Sequence, residues 1–401
     1  MQTTIKARFL RPDTLALTAT LALLTALGPL STDMYLPALP TIAQALDASV
    51  PATQFTLSAF LIGFACGQFL YGPVSDRVGR RPALAFGLLL FVAATIACAL
   101  APSIEVLSAA RFLQALGASG PIVLARAIVR DLYEGPRAGR ELSRMGTIMG
   151  LVPAIAPVLG GLVYQATGWR ALFLAIGVFG AILAAVALAG LPETLRRRDP
   201  TPLSARAILR GFSGLMGHAG YRLAVALTAI TYAGLFAFIS GSSFVLQGVY
   251  GLDPLAYGLS FAFVVCGYIA GTVIAQIVVP RRGLAGTIRL GTAALAIGGC
   301  AMLALVLAGP PSSLALTVPM ALYGMGVGLT MPQAVASAMQ PFPDRAGAAS
   351  SLLGIVQMSL AALVGIGVGW AIALTPIALP AAIAALGLAA LALQIGLREK
   401  T

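Results

Sequence analysis

The residue with the clearest capacity for chemistry is Asp33, the one carboxylate in an apolar run long enough to enter a lipid bilayer. The run extends from Leu24 to Pro37. A charged side chain at membrane depth costs several kcal/mol and usually faces a cavity, a partner or a substrate path. A carboxyl group in such a place can bind and release a proton. We therefore expect function to centre on Asp33.

The second candidate is Arg111, in the pattern Leu107-x-x-x-Arg111-x-x-Gln114-x-x-Gly117. A guanidinium cannot shed its charge, so it needs a partner or water. The helix that carries Asp33 runs outward and the helix that carries Arg111 runs inward. At 1.5 Å per residue both charges fall at similar depths in the outer half of the membrane. The alternative is two separately hydrated residues near the outer boundary.

The chain contains few residues that could carry out other catalytic chemistry. Its one histidine, His218, lies in the polar centre, and its four cysteines lie within apolar segments, where they act as small hydrophobes. No metal site, cofactor or histidine relay is expected. A membrane-embedded enzyme would need a nucleophile with a base, or a set of metal ligands, at membrane depth. It stays a remote alternative that turnover of a lipid or peptide would support.

Helices must position these charges, because the composition is that of a membrane protein. Of 401 residues, 59% are hydrophobic and 9% are charged, whereas soluble domains carry about 25% charged residues. About twelve apolar segments are long enough to cross ~30 Å of hydrocarbon as helices. They are Leu15–Leu36, Pro51–Val74, Pro82–Ala101, Val106–Ile128, Met145–Tyr164, Ala171–Leu191, Leu223–Leu246, Tyr257–Val279, Ile288–Leu307, Leu314–Ala338, Ala348–Trp370 and Ile377–Ile395.

The net charge of +12 reflects membrane topology rather than nucleic-acid binding. With both termini inside, nearly all Lys and Arg residues fall in the tails and loops of one face. The exceptions are Arg170 on the opposite face and Arg111 and Arg126 within the fourth span. Such a bias marks the cytoplasmic side. Both termini are therefore predicted to be cytoplasmic, with the lipid bilayer as partner and no nucleic acid.

The sequence predicts an all-α protein with two six-helix halves. The chain divides between them near its centre. A polar, basic segment at 192–221 separates an N-terminal half, 1–191, from a C-terminal half, 222–401. Within it, Leu203–Met216 has apolar residues at helical spacing, which predicts a helix on the membrane surface, with a plain linker as the alternative. Two parallel six-helix repeats around a central site are typical of transporters.

The loop after the second span carries the most specific motif, Gly72-Pro-Val-Ser-Asp76-Arg77-Val-Gly79-Arg80-Arg81-Pro82. The glycines permit close approach and a tight turn, and Asp76 can meet the positive end of a helix. A basic loop that only sets topology would explain the arginines but not Asp76 or the glycines. The motif resembles the loop signature of the major facilitator superfamily. The resemblance implies a conformational latch, made when the protein opens outward, from Gly72, Asp76, Arg77, Gly79, Arg80 and Arg81.

Two further motifs resemble those of antiporters in this superfamily. The Arg111 pattern is similar to the helix-4 arginine motif of proton-driven antiporters, which implies a proton-coupling role for Asp33 and Arg111. The fifth span is similar to a G-x-x-x-G-P-x-x-G-G antiporter motif, although Val152 and Ala156 replace two of its glycines. Small residues there allow tight packing and proline bends the helix. The matching residues are Pro153, Pro157, Gly160 and Gly161.

The end of the first span, Ser31–Pro40, and the seventh span near Phe236 resemble the Bcr/CflA branch of drug:proton antiporters. The expected cavity-lining residues are Tyr35, Tyr232, Phe236, Phe238, Gln333 and Gln357. Aromatic faces with few fixed polar groups suit loosely specified amphipathic ligands. The resemblance implies a monomeric exporter of small drugs in the bacterial inner membrane. An exporter or symporter of an endogenous metabolite is the alternative, and the fifth-span motif disfavours import.

Overall fold

The computed structural model describes residues 10, 14–133, 135–195, 212–309, 312–342 and 345–395. Most of the predicted surface helix, from Leu203 onward, lies outside this part of the chain; its last residues, 212–216, are helical. No β-strand occurs in the described ranges, and the predicted all-α fold is confirmed. All four cysteines are free thiols.

The first of two compact units comprises residues 1–35 and 59–203. Its helices are α1 (Leu15–Asp33), most of α3 (Val50–Val78), α4 (Arg80–Ala99), α5 (Ile104–Leu132), α6 (Gly135–Thr167) and α7 (Trp169–Gly190). Side-chain oxygens begin two of them, since Thr14 accepts from the amide of Leu17 and Ser103 from that of Val106. Such caps satisfy amides that have no partner within the helix.

The second unit comprises residues 36–58 and 204–401. It starts with a 3₁₀ turn, Leu36–Ala38, the short helix α2 (Leu39–Ala45) and the beginning of α3. Its later helices are α8 (Ala219–Ser243), α9 (Pro254–Ala308), α10 (Leu314–Met339), α11 (Ala346–Leu374) and α12 (Ala378–Ile395). A π-helical turn, Phe244–Val249, extends α8. Asp253 begins α9 by accepting hydrogen bonds from two backbone amides.

Eleven helices in the described residues are long and apolar enough to cross a membrane, one fewer than the sequence predicts. The difference lies in α9, a run of 55 residues that contains both the eighth and the ninth predicted spans. Gly283 interrupts this run with φ 66° and ψ −179°, a conformation that glycine adopts at no steric cost. Each arm on either side of Gly283 exceeds the ~20 residues that a spanning helix needs.

Candidate functional site

Asp33 is the last residue of α1, and its side chain is buried, at 6% exposure. Among the described residues, no ion pair and no hydrogen bond reaches its carboxylate. A carboxyl group that is buried without a fixed partner can change its protonation without breaking a salt bridge. Such a carboxyl group is chemically able to bind and release a proton.

Arg111 on α5 is fully buried, and it is anchored to the helix that carries Asp33. Its Nη1 donates to the backbone carbonyl of Ser31 at 3.0 Å and to Oε1 of Gln114 at 2.6 Å. Gln114 in turn donates to Oγ1 of Thr95 on α4, at 2.9 Å. The carbonyl of Ser31 lies two residues before Asp33. Arg111 therefore contacts α1 beside the acid without forming a salt bridge with it.

Three aromatic rings enclose the Arg111 guanidinium. Its Cζ lies 4.3 Å from the ring centre of Phe60, 4.7 Å from that of Tyr35 and 5.9 Å from that of Phe173. Ring faces attract a cation, more strongly where water is excluded. The Nε and Nη2 atoms are buried and have no hydrogen-bond partner among the described residues. The rings therefore stabilise a charge that hydrogen bonds satisfy only in part.

Phe60 and Phe173 are functional candidates that sequence reasoning missed. They lie on α3 and α7, far from Arg111 along the chain, and neither belongs to a motif. Tyr35 was predicted as a cavity residue; in the structure it is buried, against Arg111 and 5.4 Å from the ring of Phe173. Only the packing of α1, α3 and α7 around α5 brings these rings together.

The fifth-span motif lies on α6, and its Gly160 packs against the residue that follows Asp33. A Cβ at Gly160 would lie 2.8 Å from both the Cα and the carbonyl carbon of Met34, closer than real Cβ contacts allow. Pro153 and Pro157 lie within the same helix, and Gly161 follows Gly160 as a second buried glycine. The motif thus sets how closely α6 approaches the end of α1.

The drug export implied by the antiporter-like motifs is expected to fall at least severalfold when Gly160 is replaced with Ala. The added methyl group must displace the backbone at Met34 and with it the end of α1. Efflux from everted membrane vesicles measures the effect, at matched protein levels. The matched control is Gly150→Ala, because a Cβ at Gly150 on the same helix meets no atom within 4 Å. Equal activity of both variants would show that this close contact does not position Asp33.

The loop motif forms an ion-pair network within the first unit. Arg80 pairs with Asp76, and its Nε donates to Oδ2 of Asp131 at 3.0 Å. Thr194 donates to the same Asp131 oxygen, also at 3.0 Å. Gly79 separates α3 from α4 with φ 110°, a conformation that side-chain-bearing residues rarely adopt. Gly72 lies inside α3, and a Cβ there would meet no atom within 4 Å.

Glu193, which follows α7, completes the network at the start of α4. Its two carboxylate oxygens accept hydrogen bonds from the backbone amides of Arg80 and Arg81, at 2.9 and 3.1 Å. A carboxylate is favourable at a helix N-terminus because the unpaired amides and the helix dipole attract it. Arg81 donates from Nη2 to the carbonyl of Leu188 on α7. Asp131, Glu193 and Thr194 were not singled out from the sequence.

Replacing Asp131 with Asn is expected to lower stability by about 1–3 kcal/mol, because Arg80 is left largely buried beside a neutral partner. The melting midpoint of the purified protein measures this loss. The comparison variant is Thr194→Val, which removes one hydrogen bond to Asp131 but keeps the ion pair. A midpoint in Asp131→Asn no lower than in Thr194→Val would contradict the importance of the ion pair.

The other predicted cavity residues lie in the second unit with differing exposure. Phe236 and Phe238 are buried, and Phe238 stacks on Phe261 of α9 with ring centres 6.0 Å apart. Phe236 stacks on Tyr232, which is half-buried, at 6.4 Å. Gln333 is half-buried and Gln357 is buried. Much of this aromatic surface therefore packs between helices of its own unit.

The segment that follows Tyr35 is held by polar side chains of the second unit. Ser243, at the end of α8, donates to the carbonyl of Leu36 at 2.7 Å. Gln247, in the π-helical turn, donates to the carbonyl of Pro37 at 3.0 Å and to Ser243 at 2.7 Å. These hydrogen bonds fix the backbone at Leu36 and Pro37.

The chain is similar to known proteins over most of its length. Residues 21–366 match the model of the Major Facilitator Superfamily. A chloramphenicol resistance protein of Pseudomonas aeruginosa is 34% identical over 332 residues, covering 81% of this chain and 77% of the relative. A bicyclomycin resistance protein homolog of Haemophilus influenzae is 29% identical over 358 residues, covering 86% and 87%.

A crystal structure of the nucleoside transporter NupG shares the fold with a TM-score of 0.77, covering 94% of this chain and 99% of that chain at 12% identity. The predicted resemblance to drug-resistance transporters of the Bcr/CflA type is confirmed by the resistance-protein relatives. The chain belongs to the major facilitator superfamily and is a multi-pass membrane transporter, not an enzyme.

Proposed function

We propose that the protein exports small amphipathic drugs across the bacterial inner membrane in exchange for protons. The resistance-protein relatives support drug efflux. Proton coupling is supported by the environment of Asp33, which is buried and has no ion pair among the described residues, while Arg111 is anchored to the same helix. A group in this setting can load and release a proton during transport.

Asp33 would bind a proton while it is accessible from outside, which neutralises its carboxylate and lowers the affinity for the drug. Alternating access then exposes Asp33 to the cytoplasm, where it releases the proton and new substrate binds. Two opposing influences act on this equilibrium, since burial disfavours the charged carboxylate and the positive charge of Arg111 favours it. The three rings around Arg111 would hold its charged guanidinium in place, so that its effect on the Asp33 carboxylate persists through the cycle.

The remaining assignments also belong to this proposal. Residues 1–191 and 222–401 would be the two halves, joined by 192–221, with both termini cytoplasmic and the monomer as the working unit. The distribution of Lys and Arg supports the orientation. The network of Asp76, Arg80 and Asp131 would act as the conformational latch. Substrate-lining roles are assigned to Tyr35, Tyr232, Phe236, Phe238, Gln333 and Gln357.

A drug-susceptibility panel with and without the protein, run beside a protonophore, tests this function. Expression is expected to raise the inhibitory concentration of several neutral antibiotics, and the protonophore is expected to remove the increase. An unchanged panel would contradict drug export. Undiminished pumping by vesicles that have no pH difference, no voltage and no ATP would contradict proton coupling while leaving export intact.

A further inference from the structure

Two polar residues at the end of α8, Ser243 and Gln247, form a clamp that the proposed mechanism does not use. The side-chain amide of Gln247 donates both to the carbonyl of Pro37 and to Oγ of Ser243. Ser243, which is fully buried, donates in turn to the carbonyl of Leu36. The α8 clamp therefore holds two successive backbone carbonyls of the chain that leaves Asp33.

The local backbone on both sides favours these hydrogen bonds. Pro40 has no N–H, so it cannot give the Pro37 carbonyl the bond that a 3₁₀ turn would supply from three residues further on. On the other side, Gln247 lies in the π-helical turn Phe244–Val249. Turns of this kind are rare and are frequent at functional sites. The clamp thus joins a carbonyl that needs a side-chain donor to an unusual turn that provides one.

The stretch between the clamp and Asp33 is short and tightly packed. Only Met34 and Tyr35 separate Asp33 from Leu36, and three residues span at most about 11 Å even when fully extended. Both residues are buried. Met34 lies against Gly160, and Tyr35 has ring contacts of its own. Because a close-packed interior transmits strain, a displacement of the Leu36 carbonyl must also move Asp33.

We propose that Ser243 and Gln247 are positioning residues for Asp33, through which α8 acts on the proton-binding carboxylate. The proposal rests on the proposed function, since it names the link between drug and proton in that exporter. α8 carries residues to which a substrate-lining role is assigned, among them Phe236, two turns before Ser243. A drug that displaces α8 pulls on the two clamped carbonyls and so on the end of α1. By linkage, a proton at Asp33 changes drug affinity by the same factor.

Variants that remove the clamp donors test this role. Ser243→Ala and Gln247→Leu delete the hydrogen bonds to the two carbonyls, whereas Ser243→Thr keeps the hydroxyl group. The matched control is Ser240→Ala, because Ser240 is also a buried serine of α8 but donates to the carbonyl of Ala237 in its own helix, at 3.2 Å. None of these changes alters Arg111, the buried charge beside Asp33.

The first measurement is the rate at which dicyclohexylcarbodiimide, which adds to protonated carboxyl groups, labels Asp33. It is made on the purified full-length protein well below its melting midpoint, with mass spectrometry of the peptide that contains Asp33. Asp33 is 6% exposed, so release of the end of α1 makes its carboxyl group more accessible. We expect labelling at least about threefold faster in Ser243→Ala and Gln247→Leu, because a lost hydrogen bond raises the population of the open form. Ser240→Ala and Ser243→Thr are expected to keep the wild-type rate.

The second measurement is the Kd of chloramphenicol at pH 6 and at pH 8. Wild type is expected to bind the drug at least about tenfold more weakly at pH 6, because proton and drug oppose each other, and the two clamp variants are expected to lose most of this difference. Wild-type labelling rates in both clamp variants, with the tenfold difference intact, would overturn the positioning role and leave the proposed function standing. Faster labelling in these variants, with equal binding by wild type at both pH values, would support the positioning role and contradict the exchange of drug for protons.

Discussion

Replacing Asp33 with Asn is expected to abolish drug efflux driven by a pH difference while leaving the protein folded. The amide has nearly the shape of the carboxyl group but cannot bind and release a proton, so the cycle loses its coupling step. Because no ion pair or hydrogen bond to this carboxylate is present among the described residues, the substitution breaks no such interaction there. Everted vesicles that contain equal amounts of variant and wild type measure the loss.

The matched control for this variant is Asp47→Asn, because Asp47 is exposed in the connection between α2 and α3. It removes the same charge and is expected to leave efflux unchanged. The melting midpoint of purified Asp33→Asn separates lost coupling from lost folding. Wild-type rates of drug-dependent proton movement in Asp33→Asn would remove this residue from the mechanism.

Replacing Arg111 with Lys is expected to lower efflux at least about tenfold, although the positive charge is kept. The Arg111 guanidinium reaches the Ser31 carbonyl and Gln114 through Nη1 while its plane lies among three rings. An ammonium group is a compact, strongly hydrated charge without this planar fork, so it does not reproduce the geometry. The same vesicle assay measures the effect, and Arg289→Lys, at an exposed position, is the control.

Replacing Arg111 with Leu separates the structural role of the residue from its charge. The change removes the Arg111 donor from the Ser31 carbonyl and leaves the Gln114 oxygen with only the weak Cys98 thiol contact at 4.0 Å. A buried acceptor that loses its donor costs about 1–3 kcal/mol. The melting midpoint of Arg111→Leu is therefore expected to fall below that of Arg111→Lys. Full activity of Arg111→Lys would contradict a geometric role and leave only the charge as the requirement.

Local features of the site follow from the sequence. Asp76 and Arg80 are four residues apart, and they pair in the structure across the turn at Gly79. Counting the helical rise from the ends of the spans also places Asp33 and Arg111 at similar depths. Residues that pair although they are far apart in the sequence cannot be recognised from a local pattern. Asp131 is 51 residues from Arg80, and Glu193 is 113 residues from it.

The sequence by itself determined that this protein is a helical membrane transporter, because a bilayer leaves few ways to satisfy the backbone and the apolar runs show where the chain crosses. It also identified Asp33 and Arg111 as two charges at membrane depth. Only the tertiary structure decided that Arg111 is held by the Ser31 carbonyl and the rings of Phe60 and Phe173 instead of by Asp33. Those contacts join separate helices, and the packing of side chains between helices, which no local pattern encodes, sets their geometry.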